Sequence, residues 1–106
     1  MSTPSVTRVL DLEDRYRTAA VNAGVPEHLI GGLVRYIVHG IQPGHFLQAV
    51  LSNQLSEAFG RADEDSRAGM FQLVCFLHNS APGICWHSKQ RMDDWIGSGG
   101  MIARAS

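Results

Sequence analysis

Apolar side chains recur three and four positions apart along most of this 106-residue chain. That spacing places them on one face of an α-helix. No segment shows the convincing alternation of apolar and polar positions that is typical of a β-strand. The sequence therefore predicts an all-α fold, a compact bundle of four to five short helices. The predicted helices cover approximately residues 6–22, 26–39, 43–59, 63–77 and 88–96.

Residues with strong preferences for helix ends mark several of these boundaries. Gly24 and Gly40 can each end a helix, because glycine adopts the left-handed conformation without strain. Asp63 and Ser88 can accept hydrogen bonds from the free N–H groups that begin a helix. Residues 70–77 carry the densest apolar run, so the helix that contains them is predicted to be the central one.

Composition and charge narrow the classes of partner. Nine basic and ten acidic residues give a formal net charge of −1, and Lys89 is the only lysine. A nucleic-acid-binding protein usually shows a basic stripe, so direct nucleic-acid binding is not expected. No run approaches the roughly 20 apolar residues of a membrane span, and no signal peptide is visible, so a cytoplasmic location is predicted. The broad apolar faces of the third and fourth helices leave room for a homodimer.

The strongest local candidate for chemistry is the corner between the second and third helices. Gly40 ends one helix, Gly44 precedes the next, and Arg35, His39 and His45 lie on either side. Free N–H groups at a helix start attract anions, and Gly44 would let a ligand approach the backbone. Two interpretations stay open at this stage. The corner binds a phosphate or carboxylate, or it is a plain interhelical turn with solvated histidines.

Four residues of types that bind zinc lie close together near the C-terminal end of the apolar run. Their spacing departs from the paired spacing of structural zinc sites, so a metal site is left open and no metal or cofactor is assigned. No nucleophile and base have a recognisable third orienting group, so no catalytic residue is assigned and the chain is not predicted to be an enzyme. The four residues are Cys75, His78, Cys85 and His87.

Two further polar or aromatic residues are candidates for recognition. Trp95 is predicted to be in the core, whereas Trp86 lies in a loop and is predicted to be a partly exposed anchor. Asn53 is predicted to lie in the middle of an apolar helix, either facing solvent or as a buried or interfacial amide. The complete set of predicted ligand- or partner-binding residues is Arg35, Gly40, Gly44, His45, Asn53, Arg61 and Trp86.

The residues from Tyr36 to Asn53 follow the pattern Tyr-x2-His-Gly-Ile-x-Pro-Gly-x-Phe-Leu-x-Ala-Val-Leu-x-Asn, and Cys-Trp-x-Ser follows at residues 85–88. This pattern resembles a group of small proteins encoded by tailed bacteriophages and prophages, whose function is unsettled. The resemblance covers residues 26–96, which are taken as the helical core domain. Residues 1–25 then form an N-terminal helical extension, and the glycine-rich residues 97–106 a flexible tail. Where the family pattern has Trp-Gly-Ser-Pro-Glu, this chain has Trp-His-Ser-Lys-Gln at residues 86–90, so the glycine, the proline and the acidic residue are absent.

The resemblance implies a setting for the protein rather than a mechanism. A small phage accessory protein often acts on its host, so the leading hypothesis is a non-enzymatic anti-defence inhibitor that binds a host protein complex. The first alternative is a sponge that sequesters a small anionic ligand similar to a cyclic nucleotide. The second alternative is a phage assembly or regulatory factor. The expected partners are therefore a host protein or a small anionic nucleotide, in the cytoplasm of a bacterial host.

Overall fold

A computed structural model of the chain describes residues 6–105. Within that range, all regular secondary structure is helical, and short turns connect the helices. The all-α prediction is therefore confirmed, but the predicted count of four to five helices is too low. None of the described helices has the length and apolar character needed to cross a membrane. The described elements are α1 (Val6–Ala23), α2 (Glu27–His39), α3 (His45–Leu51), α4 (Leu55–Arg61), α5 (Glu64–Ala68), α6 (Met70–Ser80), a 3-10 turn (Gly83–Cys85), α7 (Lys89–Ser98) and α8 (Gly100–Ala105).

The predicted third helix is broken at Asn53, which separates α3 from α4. Asn53 has a φ of 64°, a left-handed conformation that asparagine tolerates better than most residues. The turn is closed by a 2.8 Å hydrogen bond from the Gln54 amide to the Ala49 carbonyl. Asn53 is exposed at this junction, so its predicted position in mid-helix was wrong.

The predicted fourth helix is also two helices, with Gly69 between α5 and α6. Asp63 begins α5, because its side-chain oxygen accepts a 2.7 Å hydrogen bond from the Ser66 amide, as the sequence predicted. A Cβ atom on Gly69 would overlap the ring of Pro26 at the start of α2. The break therefore lies where a helix junction packs closely against another part of the chain.

The centre of the fold is α2 rather than α6. Seven residues of α2 are buried, and this helix packs against α1, α3 and α8. By contrast, α6 buries four residues and leaves Phe71 75% exposed. The predicted central position of the 70–77 segment was wrong because α6 covers the core from one side, mainly against α1.

The outer segments belong to the same core as the middle of the chain. Tyr16 and Ala20 of α1 are buried in one cluster with α2, so the described part of residues 1–25 is an integral layer. The glycine-rich segment expected as a flexible tail is helical for its described part, where Met101 and Ile102 pack against the core. Residues 1–5 and 106 lie outside the described range.

The C-terminal end of α2 anchors the last third of the chain. The Tyr36 hydroxyl donates a 2.6 Å hydrogen bond to the Cys85 carbonyl. The indole N–H of Trp95 donates to the carbonyls of Tyr36 and Ile37, at 3.0 and 3.2 Å. Trp95 is 1% exposed, which confirms its predicted place in the core. Gly40 ends α2 with a φ of 69°, also as predicted.

Candidate functional site

A surface groove of about 390 Å³ lies between α2, the start of α3 and the α4–α5 junction. We call it the basic groove. Four of the seven predicted binding residues line it: Arg35, Gly44, His45 and Arg61. Its other lining residues are His28, Leu29, Gly32, Phe46, Leu47, Asp63 and Ser66.

Two consecutive glycines of α2 shape this groove. A Cβ atom on Gly31 would lie 3.2 Å from a terminal nitrogen of Arg35, so the absence of a side chain lets the guanidinium fold back along its own helix. A Cβ atom on Gly32 would lie 3.3 Å from a methyl group of Leu47, so α3 approaches closely there. Each glycine weakens α2 by about 1 kcal/mol relative to alanine.

The guanidinium of Arg35 carries a charge that the fold leaves uncompensated. No hydrogen bond or ion pair joins it to another residue in the part of the chain that the structure describes. Arg61, in contrast, donates a 2.9 Å hydrogen bond from Nε to the Glu57 carboxylate. Arg35 is therefore the main source of positive charge available to a ligand in the basic groove.

The histidines of the groove differ in their partners. The Nε2 atom of His28 lies 2.8 Å from the Ser66 hydroxyl and 3.5 Å from an Asp63 oxygen. His45 is exposed, and its ring contacts no described hydrogen-bond partner. The carboxylate of Asp63 is already engaged, since the Ser66 amide donates to its other oxygen and thereby lowers the pKa of Asp63. Because Arg61 is paired with Glu57 and Asp63 faces His28, Arg35 is the positive charge of the lining that no described carboxylate offsets.

The N-terminus of α3, which was predicted to attract an anion, contributes little to anion binding by itself. α3 has only seven residues, so few peptide dipoles add up at its N-terminus. His39, on the other side of the corner, contacts Glu13 of α1 at 3.2 Å instead of facing the groove. The side chains of α2 and the first residue of α3, rather than the helix end, supply the chemistry of this site.

Three predicted site residues lie elsewhere. Gly40 is buried, and a Cβ atom there would meet backbone atoms of Gly99, Gly100 and Trp95. Asn53 does not line the basic groove.

Trp86 was predicted to be partly exposed, but it is only 6% exposed and belongs to the core cluster. Its ring stacks on His87 at 3.7 Å between centroids and meets the edge of His78 at 5.2 Å. His87 is held with a φ of 94°, which positions its ring over the indole. This packing against residues on both sides is the reason that Trp86 is not an exposed anchor.

The fold does not gather the four candidate zinc ligands into one site, although His78 and His87 lie near each other. The Cys85 thiol is buried beside Tyr36, and burial raises the pKa of Cys85 to about 12. The rings of His78 and His87 lie 6.1 Å apart between centroids. Among residues 7–104, no group of three or more His, Cys, Asp or Glu side chains is arranged to hold a metal ion. Cys75 and Cys85 are both free thiols.

The sequence analysis missed His28 and Ser66. His28, Gly32 and Arg35 are spaced i, i+4 and i+7, which places them on one helical face, so this spacing could have identified the first residue. Ser66 is the one buried polar residue among those whose burial is described. Its contact with His28 joins residues 38 positions apart, and no local signal predicts it.

Comparison with known protein families, curated proteins and solved structures finds no match to this chain. The resemblance to small phage proteins therefore stays a prediction.

Proposed function

We propose that this protein is a non-enzymatic binding protein whose basic groove takes a small ligand with a phosphate or carboxylate group. The observation that carries this proposal is the Arg35 guanidinium, which is exposed, lies over Gly31 in a concave surface and is paired with none of the residues that the structure describes. A guanidinium can donate two parallel hydrogen bonds to a phosphate or carboxylate. The groove volume of about 390 Å³ is within the range of small-molecule sites.

This proposal favours the anionic-ligand alternative over the leading hypothesis from the sequence. The inhibitor hypothesis drew on the small size of the chain and on exposed aromatic anchors such as Trp86, and Trp86 is buried. The ligand hypothesis drew on the Gly40–His45 corner, Arg35, Arg61 and Trp86. It loses Gly40 and Trp86, but its charged residues Arg35 and Arg61 share one groove with Gly44 and His45. In the predicted phage setting, such a protein would lower the free concentration of an anionic signalling molecule of the host.

The test is a titration of the isotopically labelled protein with pyrophosphate, followed by nuclear magnetic resonance of its backbone amides. We expect saturable shifts at Gly32, Gly44 and His45, which weaken as salt is added because exposed charges are screened. Arg35→Gln should abolish the shifts. Arg17→Gln is the matched control, because Arg17 is an exposed arginine that lines a different surface depression. Absence of saturable shifts, or equal shifts in Arg35→Gln, would refute the proposal.

One observation favours the alternative in which the partner is a host protein. Phe71 is 75% exposed, and Leu55 and Phe59 of α4 are 52% and 43% exposed. Leu55 and Phe59 are four positions apart and therefore share one face of α4, and grouped apolar side chains at a surface are typical of recognition sites. An anti-defence assay in a defended bacterial host separates the two candidates. Loss of protection with Phe71→Ser but not with Arg35→Gln favours the protein inhibitor, and the reverse favours the anionic ligand.

The same assay tests the third hypothesis, a phage assembly or regulatory factor. That hypothesis predicts impaired phage growth without this protein even in a host that lacks defence systems. Growth that is normal in the undefended host and impaired in the defended one would contradict it.

A further inference from the structure

The basic groove adjoins a second groove of about 200 Å³, which we call the polar groove. His45 and Arg61 line both grooves. A ligand that reaches past these two side chains therefore contacts both grooves. The polar groove is formed by α3, the α3–α4 junction, α4 and the start of α7.

Two side chains on the α3 side of the polar groove present hydrogen-bond acceptors. The Gln48 amide nitrogen donates a 2.7 Å hydrogen bond to the Pro43 carbonyl, which leaves the amide oxygen of Gln48 available. The Ser52 hydroxyl donates to the Gln48 carbonyl at 2.7 Å, so its proton is engaged and its oxygen lone pairs remain. Both residues therefore suit hydrogen-bond donors on a ligand.

The α4 side and the α3–α4 junction of the polar groove also present hydrogen-bond acceptors. The Glu57 carboxylate accepts one hydrogen bond from Arg61 and has further lone pairs, as a carboxylate provides about four acceptor sites. The ammonium of Lys89 is engaged by Asp93 at 2.7 Å. The Gln54 side chain has no described partner, so it can both donate and accept. Both cations of the polar groove are ion-paired, Arg61 with Glu57 and Lys89 with Asp93. The polar groove therefore offers a second anionic group no unpaired cation among the described residues, whereas its acceptors suit hydroxyl or amino groups.

From this asymmetry we infer that the ligand has two parts. Its anionic group contacts Arg35 and His45 in the basic groove, and a part that carries hydroxyl or amino groups occupies the polar groove. A phosphorylated sugar, free or as part of a nucleotide, combines both features. This inference rests on the proposed function, because it needs the basic groove to hold the phosphate.

The experiment compares inorganic phosphate, ribose, ribose 5-phosphate and adenosine monophosphate by the same titration of the full chain. We expect ribose 5-phosphate to bind at least tenfold more tightly than inorganic phosphate, since one net hydrogen bond is equivalent to roughly a tenfold change. Ribose alone should bind more weakly than any of the three compounds that contain phosphate. Tighter binding of adenosine monophosphate than of ribose 5-phosphate identifies a nucleotide as the source, and equal binding identifies the free sugar phosphate.

Two variants locate the sugar part. Gln54→Leu should reduce the preference for ribose 5-phosphate over phosphate, while the affinity for inorganic phosphate stays unchanged. Gln42→Leu is the matched control, because Gln42 is also an exposed glutamine and lines neither groove. It should leave both affinities unchanged.

The outcomes distinguish this inference from the proposed function. If inorganic phosphate binds through Arg35 but ribose 5-phosphate binds no more tightly, the two-part ligand is refuted and the proposed function stands. If neither phosphate nor the phosphorylated compounds bind, both are refuted. A preference for ribose 5-phosphate that Gln54→Leu leaves unchanged overturns the placement of the sugar in the polar groove.

Discussion

A methyl group at Gly40 has no space in this fold, and this makes Gly40→Ala a quantitative test of how the C-terminal segment packs. A Cβ atom there would lie 2.8 Å from the Gly100 nitrogen and 2.9 Å from both the Gly99 carbonyl carbon and the Trp95 oxygen. All three are backbone atoms, so no side-chain rotation can relieve the contact. The corner between α7 and α8 would have to move away from the end of α2.

The expected magnitude has two contributions. Gly40 has a φ of 69°, and the left-handed conformation costs an L-residue about 1–2 kcal/mol. Forcing extra atoms into a close-packed region costs about 1–3 kcal/mol more. A loss of about 2–5 kcal/mol is a large part of the roughly 5–15 kcal/mol that stabilises a typical domain. We therefore expect the Tm to fall by about 8–20 °C, using about 4 °C per kcal/mol for a domain of about 100 residues.

Gly97→Ala is the matched control for this substitution. Gly97 lies within α7, and a Cβ atom there would meet nothing within 4 Å. Alanine favours the helix over glycine by about 0.5–1 kcal/mol, so Gly97→Ala should raise the stability. The two variants make the same chemical change and are predicted to have opposite effects.

The assay is urea unfolding followed by circular dichroism, together with thermal unfolding. A lower midpoint with an unchanged m-value shows that stability changed and that the unfolded ensemble did not. A loss below about 1 kcal/mol for Gly40→Ala, or a gain as for Gly97→Ala, would contradict the close contact between the end of α2 and the α7–α8 corner.

Four further predictions follow from single contacts. Tyr36→Phe leaves the buried Cys85 carbonyl without its hydrogen-bond donor and should lower the free energy of unfolding by about 1–3 kcal/mol. Urea unfolding measures this loss, and an unchanged unfolding midpoint would contradict it. Burial raises the pKa of Cys85 to about 12. A thiol reagent at neutral pH should therefore modify the half-buried Cys75 before Cys85. Equal modification rates of the two cysteines, measured by mass spectrometry, would be inconsistent with a buried Cys85 thiol. His87→Gly should be more stable than His87→Ala by about 1–2 kcal/mol, because both lose the ring but only glycine accepts the φ of 94° without strain. The hydrogen bond from the Ser66 amide lowers the pKa of Asp63. The stabilisation that the Asp63 carboxylate gives should therefore be complete above the ordinary carboxyl pKa and lost as the pH falls through the lowered pKa. The difference in Tm between the protein and Asp63→Ala should shrink on acidification, and a constant difference would refute this role of Asp63.

The ends of helices were predictable where a local interaction defines them. Gly40 has the left-handed conformation expected of it, and Asp63 and Ser88 each accept the predicted backbone hydrogen bond. These features depend on residues three or four positions apart, so the sequence contains the information. The breaks at Asn53 and Gly69 were missed, and the second of them involves close packing against Pro26, far away in the chain.

The residues of the candidate site likewise divide into those that the sequence could identify and those that it could not. Arg35 and His45 were identified because a basic residue and a helix corner are visible in the sequence, and both line the basic groove. Trp86 was misplaced because its burial depends on stacking with His87 and contact with His78. The contribution of Gln54 to a polar groove could not be predicted, since that groove also needs Lys89 from α7.

The sequence by itself determined the helical class, the nearly neutral charge and the chemistry of individual helix ends, because each depends on composition or on neighbours within one helical turn. Only the tertiary structure decided which polar side chains face one groove, which tryptophans are buried and how many helices the chain forms. Those outcomes depend on how α2, α3 and α7 pack against one another. That packing is determined by contacts between residues that are distant in the chain, and no periodic pattern encodes them.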